Sequence, residues 1–444
     1  MTHVFHRTRT RPTLATAASG IEITDEDGRV YIDSTGGAAV SCIGHADPRV
    51  VAAMTKQAST LEYAHTVAFT SPPAEALADL LCAATPLPLD KAYIVSSGSE
   101  AVETAIKMAR GYHLARGEES RIHIIGRRQS YHGNTLGALA RGGNMGRRLP
   151  YLPLMTEAHL VDPCFEYRHA LPGETPEDYG RRAADSLEAE ILRLGPDTVA
   201  AFIAETVVGA TTGCVPPAPG YFKRIREICD RYGVLLIIDE IMCGVYRCGP
   251  FFAIEAEGIA PDIVTLGKGL GGGYQPIAAA MCTAAVYDAF IEAGQSFIHG
   301  HTYMAHPVAC AAALAVQQVI AKDGLADRVA PMGSYLAQRL NARFGNHPHV
   351  GNIRGRGLFQ AIEIVTDRDD KTPFPVERMM ATMVFDACRD IGLLVYPGSG
   401  TADGIAGDHV LVAPPYTVTE DQIDRIVDLL GDGLDAALAG ADAA

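Results

Sequence analysis

The amino-acid sequence predicts an α/β fold built around a large, mostly parallel wound sheet in mid-chain, and three observations predict it. From about Pro72 onward, short apolar runs of strand character alternate with helical stretches, at residues 93–95, 122–125, 199–204, 234–238, 263–266 and 277–281. Hydrophobic residues make up 48% of the 444 and charged ones only 20%, enough apolar material for a large core. Two of the apolar runs, 234–238 and 263–266, lead directly into one ionisable side chain each, Asp239 and Lys268. Open α/β sheets place their ligand-binding groups in this way, at the carboxyl edge.

The remaining elements come in chain order. Residues 21–33 alternate around Asp25, Glu26, Asp27 and Gly28, a hairpin signal, and are followed by Gly36 and Gly37. A helix is expected over 48–62, with Asp47 as its cap and Pro48 in the first turn. This forms a small N-terminal module. Residues 169–178, rich in Pro and Glu, read as a surface loop or insertion. A long helical region spans 307–344. Beyond it, strands at 358–364, 393–396 and 410–412 alternate with helices at 376–390 and 419–438, giving an α+β C-terminal unit.

A formal net charge of -15 argues against nucleic acid or an anionic membrane surface as the main partner. No apolar run approaches the length of a spanning helix, and the basic start of the chain lacks the apolar region of a signal peptide, so a soluble cytoplasmic protein is expected. Ten scattered cysteines, several inside apolar runs, suit reduced core thiols.

The chemistry lies in the pairing of Asp239 with Lys268. The 29-residue step between them accommodates a connection and a return, so two neighbouring parallel strands would bring both groups to one edge. Pyridoxal phosphate chemistry requires that pair: the lysine amine condenses with the cofactor aldehyde, and a buried carboxylate keeps the pyridine nitrogen protonated. Either residue alone is better read as a strand-end cap or a solvated lysine. Ser96, Ser97, Gly98, Ser99 and Glu100 come after a strand and open a helix, whose free N–H groups suit a phosphate; by itself this is an ordinary serine cap. Tyr131 and His132 come after the 122–125 strand, where an aromatic ring can lie against a pyridine, and Glu205 ends the 199–204 strand. Each of these in isolation reads as loop packing or a solvated end.

Taken together, the ordered motifs Ser97-Gly98-Ser99-Glu100-Ala101, Tyr131-His132-Gly133, Asp239-Glu240-Ile241 with Gly244 and Arg247, Lys268-Gly269, and His299-Gly300-His301-Thr302-Tyr303 with His306-Pro307 resemble class III, or omega, aminotransferases of the pyridoxal phosphate fold type I superfamily. The resemblance covers nearly the whole chain. It implies a large cofactor-binding domain over 72–329 and a small α+β domain from both chain ends, 1–71 and 330–444. It also implies pyridoxal 5'-phosphate as cofactor, with Lys268 and Asp239 catalytic. Gly98 and Ser99, beside Ser97, hold the phosphate; Tyr131 and Ile241 cover the two faces of the ring; His132 and Glu205 line the same pocket. Thr302 reaches the phosphate of a neighbouring subunit, so a homodimer with shared active sites is implied. The activity implied is amino transfer from a terminal amine or omega-amino acid to an oxo acid such as pyruvate, by a ping-pong mechanism.

The chain departs from the family's pattern in several places. Thr206 stands where proline often comes after the strand-end glutamate, and Cys248 where threonine is usual. Relatives often carry an arginine near the position of Tyr396, and an insertion over 397–407 comes directly after it here. Arg141, Arg247 and Arg354 are candidate contacts for a substrate carboxylate, but each is better read as a surface or structural ion pair. Gly267 to Gly272 matches the dinucleotide pattern GxGxxG, but it leads into the apolar, strand-like run 277–281 rather than into a helix. His299, His301 and His306 lack carboxylate or cysteine partners at metal-ligand spacing, and no GxSxG supports a serine hydrolase. A decarboxylating transaminase or an amino-acid racemase shares the core residues, and a non-catalytic cofactor-binding protein is the alternative of a different class.

Overall fold

The computed structural model describes residues 2–8 and 11–442; Met1, Arg9 and Thr10 of the basic N-terminal stretch lie outside them. Its centre is a seven-stranded sheet: β1 (Leu89–Val95), β2 (His123–Arg127), β3 (His159–Val161), β4 (Val199–Glu205), β5 (Leu235–Asp239), β6 (Ile263–Leu266) and β7 (Ala278–Thr283), in the order β1-β7-β6-β5-β4-β2-β3. Strand β7 runs antiparallel to both its neighbours, and the pairs from β6 through β3 are parallel. Alternate residues of the central strands enter two different cores. Phe202, Leu236, Ile238 and Val264 belong to one, and Ile203, Leu235, Ile237 and Ile263 to the other. Both faces are therefore buried, which is why these strands read as continuous apolar runs rather than as alternating ones. The second core is closed by Val102, Ala105 and Met108 of the helix Gly98–Ala115, the first by helices that include Pro176–Leu194 and Tyr221–Tyr232.

Register fixes which residues stand at the carboxyl edge. Glu205 lies opposite Asp239, Asp239 opposite Thr265, Leu266 opposite Ala279, and Ala278 opposite Val95. The segments leaving β1, β4, β5 and β6 thus emerge side by side.

The predicted hairpin forms as Glu22–Asp25 paired with Val30–Asp33. The predicted strand over 393–396 divides between two sheets. Leu393–Leu394 pairs in parallel with Val30–Asp33, tying the two chain ends together, whereas Tyr396–Ser399 pairs with Asp408–Val412. That second sheet also contains Phe359–Ile364 and Val350–Arg356. The last of these is hidden in the sequence because Gly351, Gly355 and three polar residues break any apolar pattern. The single helical region expected over 307–344 is two helices, Pro307–Lys322 and Leu325–Phe344, bent by 69°. Gly324, at φ +62, supplies the left-handed residue that ends the first. The loop expected over 169–178 is shorter, because Thr175 caps a helix that already begins at Pro176. All ten cysteines are free, and all but Cys82 are buried. Among the described residues, no single helix is long and apolar enough to cross a membrane.

The C-terminal sheet is fastened to its surroundings by charge. Glu363 is fully buried and receives Arg168 Nε at 2.7 Å on one oxygen and Arg354 Nη1 at 2.6 Å on the other. Removing one member of a buried ion cluster leaves uncompensated charge that water cannot reach. Glu363→Ala is therefore expected to lower the unfolding free energy by about 3–5 kcal/mol, read from the midpoint of a guanidinium titration.

Candidate active site

A cavity opens at the carboxyl edge of the sheet, where open α/β sheets bind their ligands. Its walls include Ser97, Gly98, Ser99, Tyr131, His132 and Gly133 on one side. Glu205, Asp239, Ile241 and Lys268 complete it. Nine of the ten residues expected at the site from sequence, all except Thr302, thus meet in one place. Thr302 is exposed and lies away from this cavity, its carbonyl accepting a hydrogen bond from the Tyr63 hydroxyl at 3.0 Å.

Asp239 is buried at the end of β5 and held from two sides. Its Oδ2 lies 2.8 Å from His132 Nδ1, and its Oδ1 accepts the Ile241 N–H at 3.0 Å. His132, which also lines the cavity, has its Nε2 buried without a hydrogen-bond partner. Glu205 accepts the Tyr131 N–H at 3.0 Å and the Gly209 N–H at 3.1 Å, and so locks the loop that presents Tyr131. Burial pushes its carboxyl above the ordinary range, with Asp239 adding to the rise.

Lys268 occupies a single 3-10 turn, Lys268–Leu270, at φ +45, a conformation a side chain rarely adopts. Such strain is tolerated where surrounding structure over-determines it, commonly at functional sites. Burial lowers the lysine's pKa to about 8, against the opposing pull of Asp239 and Glu205. The uncharged amine that a nucleophile or base requires is thus reached at lower pH than in an ordinary lysine. The same turn disposes of the dinucleotide pattern, because the chain passes from it into β7 and not into a helix.

The helix Gly98–Ala115 opens onto the cavity. Ser97 caps it by accepting the Glu100 N–H at 3.3 Å, and Glu100 returns the bond to the Ser96 N–H at 2.8 Å. The serine cap thus forms and orients the turn, and Gly98 and Ser99 stand on the cavity wall. Gly98 is packed against Ile241, where a Cβ would meet its methyl groups at 3.0–3.1 Å. Gly133, at φ +133, lies so close to Ser99 that a Cβ would meet Oγ at 2.5 Å. Glu240 faces away into the protein, where Ala253 N–H and Ile254 N–H each donate at 2.9 Å, and burial raises its pKa to about 7.

The three arginines singled out in the sequence are structural. Arg141 donates to the carbonyls of Ile124 and Glu157, and Arg247 to those of Leu358 and Pro414 while lying over the Tyr416 ring. Arg354 belongs to the Glu363 cluster. Another arginine, Arg147, lies over Tyr131 of the cavity wall, its guanidinium carbon 5.0 Å from the centre of the ring. No sequence signal marks it, since it sits in a four-residue helix, Met145–Arg148, with another arginine beside it.

Residues 4–434 match the class-III aminotransferase family. The chain is 48% identical to an uncharacterized aminotransferase of Schizosaccharomyces pombe, over 97% of this chain and 94% of that one. It is 34% identical to a gamma aminobutyrate transaminase of Solanum lycopersicum, over 97% and 82% respectively. Among solved structures, the omega transaminase of Pseudomonas jessenii in complex with PMP superimposes with a TM-score of 0.92 at 32% identity, covering 100% of this chain and 97% of that one. The chain belongs to the class-III aminotransferases, a pyridoxal-phosphate-dependent family, and its fold is that of these transaminases.

The depressed Lys268 pKa has a consequence for the cofactor-free protein. Between about pH 8 and 10.5 the unfolded chain binds a proton that the folded one does not, so stability rises with pH across that window. Lys268→Met is expected to melt above the wild type below about pH 8, with the gap closing as pH approaches 10.5; thermal melts at stepped pH check this.

Proposed function

We propose that this class-III aminotransferase binds pyridoxal 5'-phosphate in the cavity at the sheet edge and transfers an amino group from a terminal amine or omega-amino acid to an oxo acid such as pyruvate, in two alternating half-reactions. The observation that carries the proposal is the convergence of Lys268, Asp239 and the open start of the helix Gly98–Ala115 on one cavity. Similarity to gamma aminobutyrate and omega transaminases supports the donor class. The residues present fit the cofactor: a free amine, a held carboxylate, an anion-binding helix start and an unpartnered His132 Nε2.

When bound, the cofactor supplies a carbon that exchanges oxygen for nitrogen and a cationic ring that draws electrons from the donor carbon. Every other part falls to the chain. Gly98 and Ser99 hold the phosphate at the helix start, with Ser97 orienting them. Tyr131 and Ile241 take opposite faces of the ring. Asp239, fixed by His132 and the Ile241 N–H, keeps a proton on the ring nitrogen, because a carboxylate in a water-poor cavity stabilises the cation strongly. Lys268 carries the cofactor between turnovers, and its freed amine moves a proton from the donor carbon to the accepting carbon. Glu205 holds the Tyr131 loop in place. Thr302, exposed on its own chain, serves the phosphate of a second copy in a homodimer with shared sites. We also propose that the large domain covers 72–329 and that 1–71 and 330–444 make up the small one.

Lys268→Ala is expected to abolish steady turnover while leaving the fold intact. In the spectrum, the cofactor's visible band should no longer respond to added amine or be restored by an oxo acid. Near-normal turnover in this variant would sink the assignment. Asp239→Asn is expected to retain cofactor and lose at least about a hundredfold in rate, since a neutral amide does not hold the ring proton electrostatically; an unchanged rate in stopped-flow half-reactions would assign that proton to another group.

A further inference from the structure

We infer that Arg147 anchors the carboxylate of the substrate, and that the preferred donor is an unbranched omega-amino acid whose carboxylate lies several carbons from its amine. The inference rests on the transamination reading above and deepens it. The position at which relatives often carry an arginine holds Tyr396 here, close enough to Tyr131 to influence its hydroxyl. Arg147 lies over that same ring at 5.0 Å and donates from Nη1 to Asn134 Oδ1 at 3.2 Å. Among the described residues no carboxylate forms an ion pair with Arg147, whereas its neighbours Arg141 and Arg148 are committed to backbone carbonyls. A half-buried guanidinium at the rim of a cavity, with donors left over, is suited to bidentate recognition of a carboxylate.

The placement is built rather than incidental. The helix Met145–Arg148 is fixed at its start by Asn144, whose side chain accepts the Arg147 N–H at 3.2 Å, and by the Gly143 N–H donating to the Ser130 carbonyl at 2.8 Å. The inserted segment after Tyr396 passes near this helix, with Gly404 beside the Met145 side chain. The insertion is in turn held by Gln129, whose Nε2 donates to the carbonyls of Gly400 at 2.7 Å and Thr401 at 3.0 Å. The two departures from the family pattern thus lie near this region, Tyr396 beside Tyr131 and the insertion beside Met145. A cleft lined by Arg7, Asn134, Arg147 and Tyr151 adjoins the cofactor cavity along residues 131–134 and gives the carboxylate a path of approach lined by a second cation. Arg147 lies beyond the Tyr131 ring and not on the wall of the cavity that holds Lys268, so a carboxylate held by Arg147 would lie several bonds from an amine reacting at Lys268.

The test uses the holoenzyme and matched probes. Isothermal titration with pentanoate, which cannot react, is expected to show roughly 10–100-fold weaker binding to Arg147→Gln than to wild type, with Arg147→Lys between them. Pentan-1-ol should bind all three alike. In single-turnover assays, kcat/KM for 5-aminopentanoate should fall by a similar factor in Arg147→Gln while that for pentylamine stays unchanged. Unchanged pentanoate affinity, or equal losses for both amines, would overturn the inference. So would a variant that loosens pyridoxal phosphate but not pentanoate, since the guanidinium would then serve the phosphate. Were the wild type to convert neither amine yet still bind pentanoate through Arg147, the transamination reading would fail and the anchor would stand.

Discussion

The site depends on keeping an amine and a carboxylate together in a cavity poor in water without letting them neutralise each other's use. A lysine in a direct salt bridge is held protonated and is useless as nucleophile or base. Here the carboxylate is engaged elsewhere: His132 and the Ile241 N–H hold both oxygens of Asp239. Glu205 is likewise occupied by two backbone N–H groups. Burial then dominates at Lys268 and brings its pKa to about 8. The strained backbone at Lys268 belongs to the same design, because it aims the side chain from the end of β6 back over the edge that carries Asp239.

That arrangement is inherited from the sheet. Parallel neighbours β4, β5 and β6 put Glu205, Asp239 and the Lys268 turn in consecutive register, and antiparallel β7 sits between β6 and β1 as a spacer. The spacer moves the helix Gly98–Ala115 one strand further from the lysine, leaving the cavity between them. Gly98 and Gly133 then allow the walls to close on that space, since a Cβ at either would strike Ile241 or Ser99.

Much of this was legible in the sequence, for a physical reason. Strands covered on both faces become unbroken apolar runs, and a charged residue at the end of such a run stands out, so Asp239 and Lys268 could be read and placed on one edge. The helix start at Ser97–Gly98–Ser99 was legible as a cap, and its place on the cavity wall shows only beside Asp239 and Lys268. The features that escaped are defined by partners rather than by pattern. The strand Val350–Arg356 is made of glycine and polar residues, and its stability comes from Glu363 and the ladder beside it. Residues 393–396 form one apolar run but serve two sheets, because the chain turns at Val395, which no local signal marks. Arg141, Arg247 and Arg354 looked available because sequence cannot show that backbone carbonyls and Glu363 occupy them.

Arg147 raises the question of why the cation should have moved from the place where relatives often keep it. An arginine at 396 would enter the neighbourhood of Tyr131, which Arg147 and Arg7 already influence. Like charges brought together in a partly desolvated cleft repel, and each lowers the other's gain from a single substrate carboxylate. The two arrangements therefore exclude one another. Tyrosine at 396 keeps an aromatic surface without the charge, and the inserted turn replaces the rigidity that a β-strand would have given an arginine there. A short, isolated helix such as Met145–Arg148 has little stability of its own, so it positions a side chain only if other segments hold it. The Gly143 N–H bonded to the Ser130 carbonyl and the Asn144 side chain accepting the Arg147 N–H tie this helix to the loop that carries Tyr131, so the separation between Tyr131 and the arginine is set by the scaffold as well as by the reach of a long side chain.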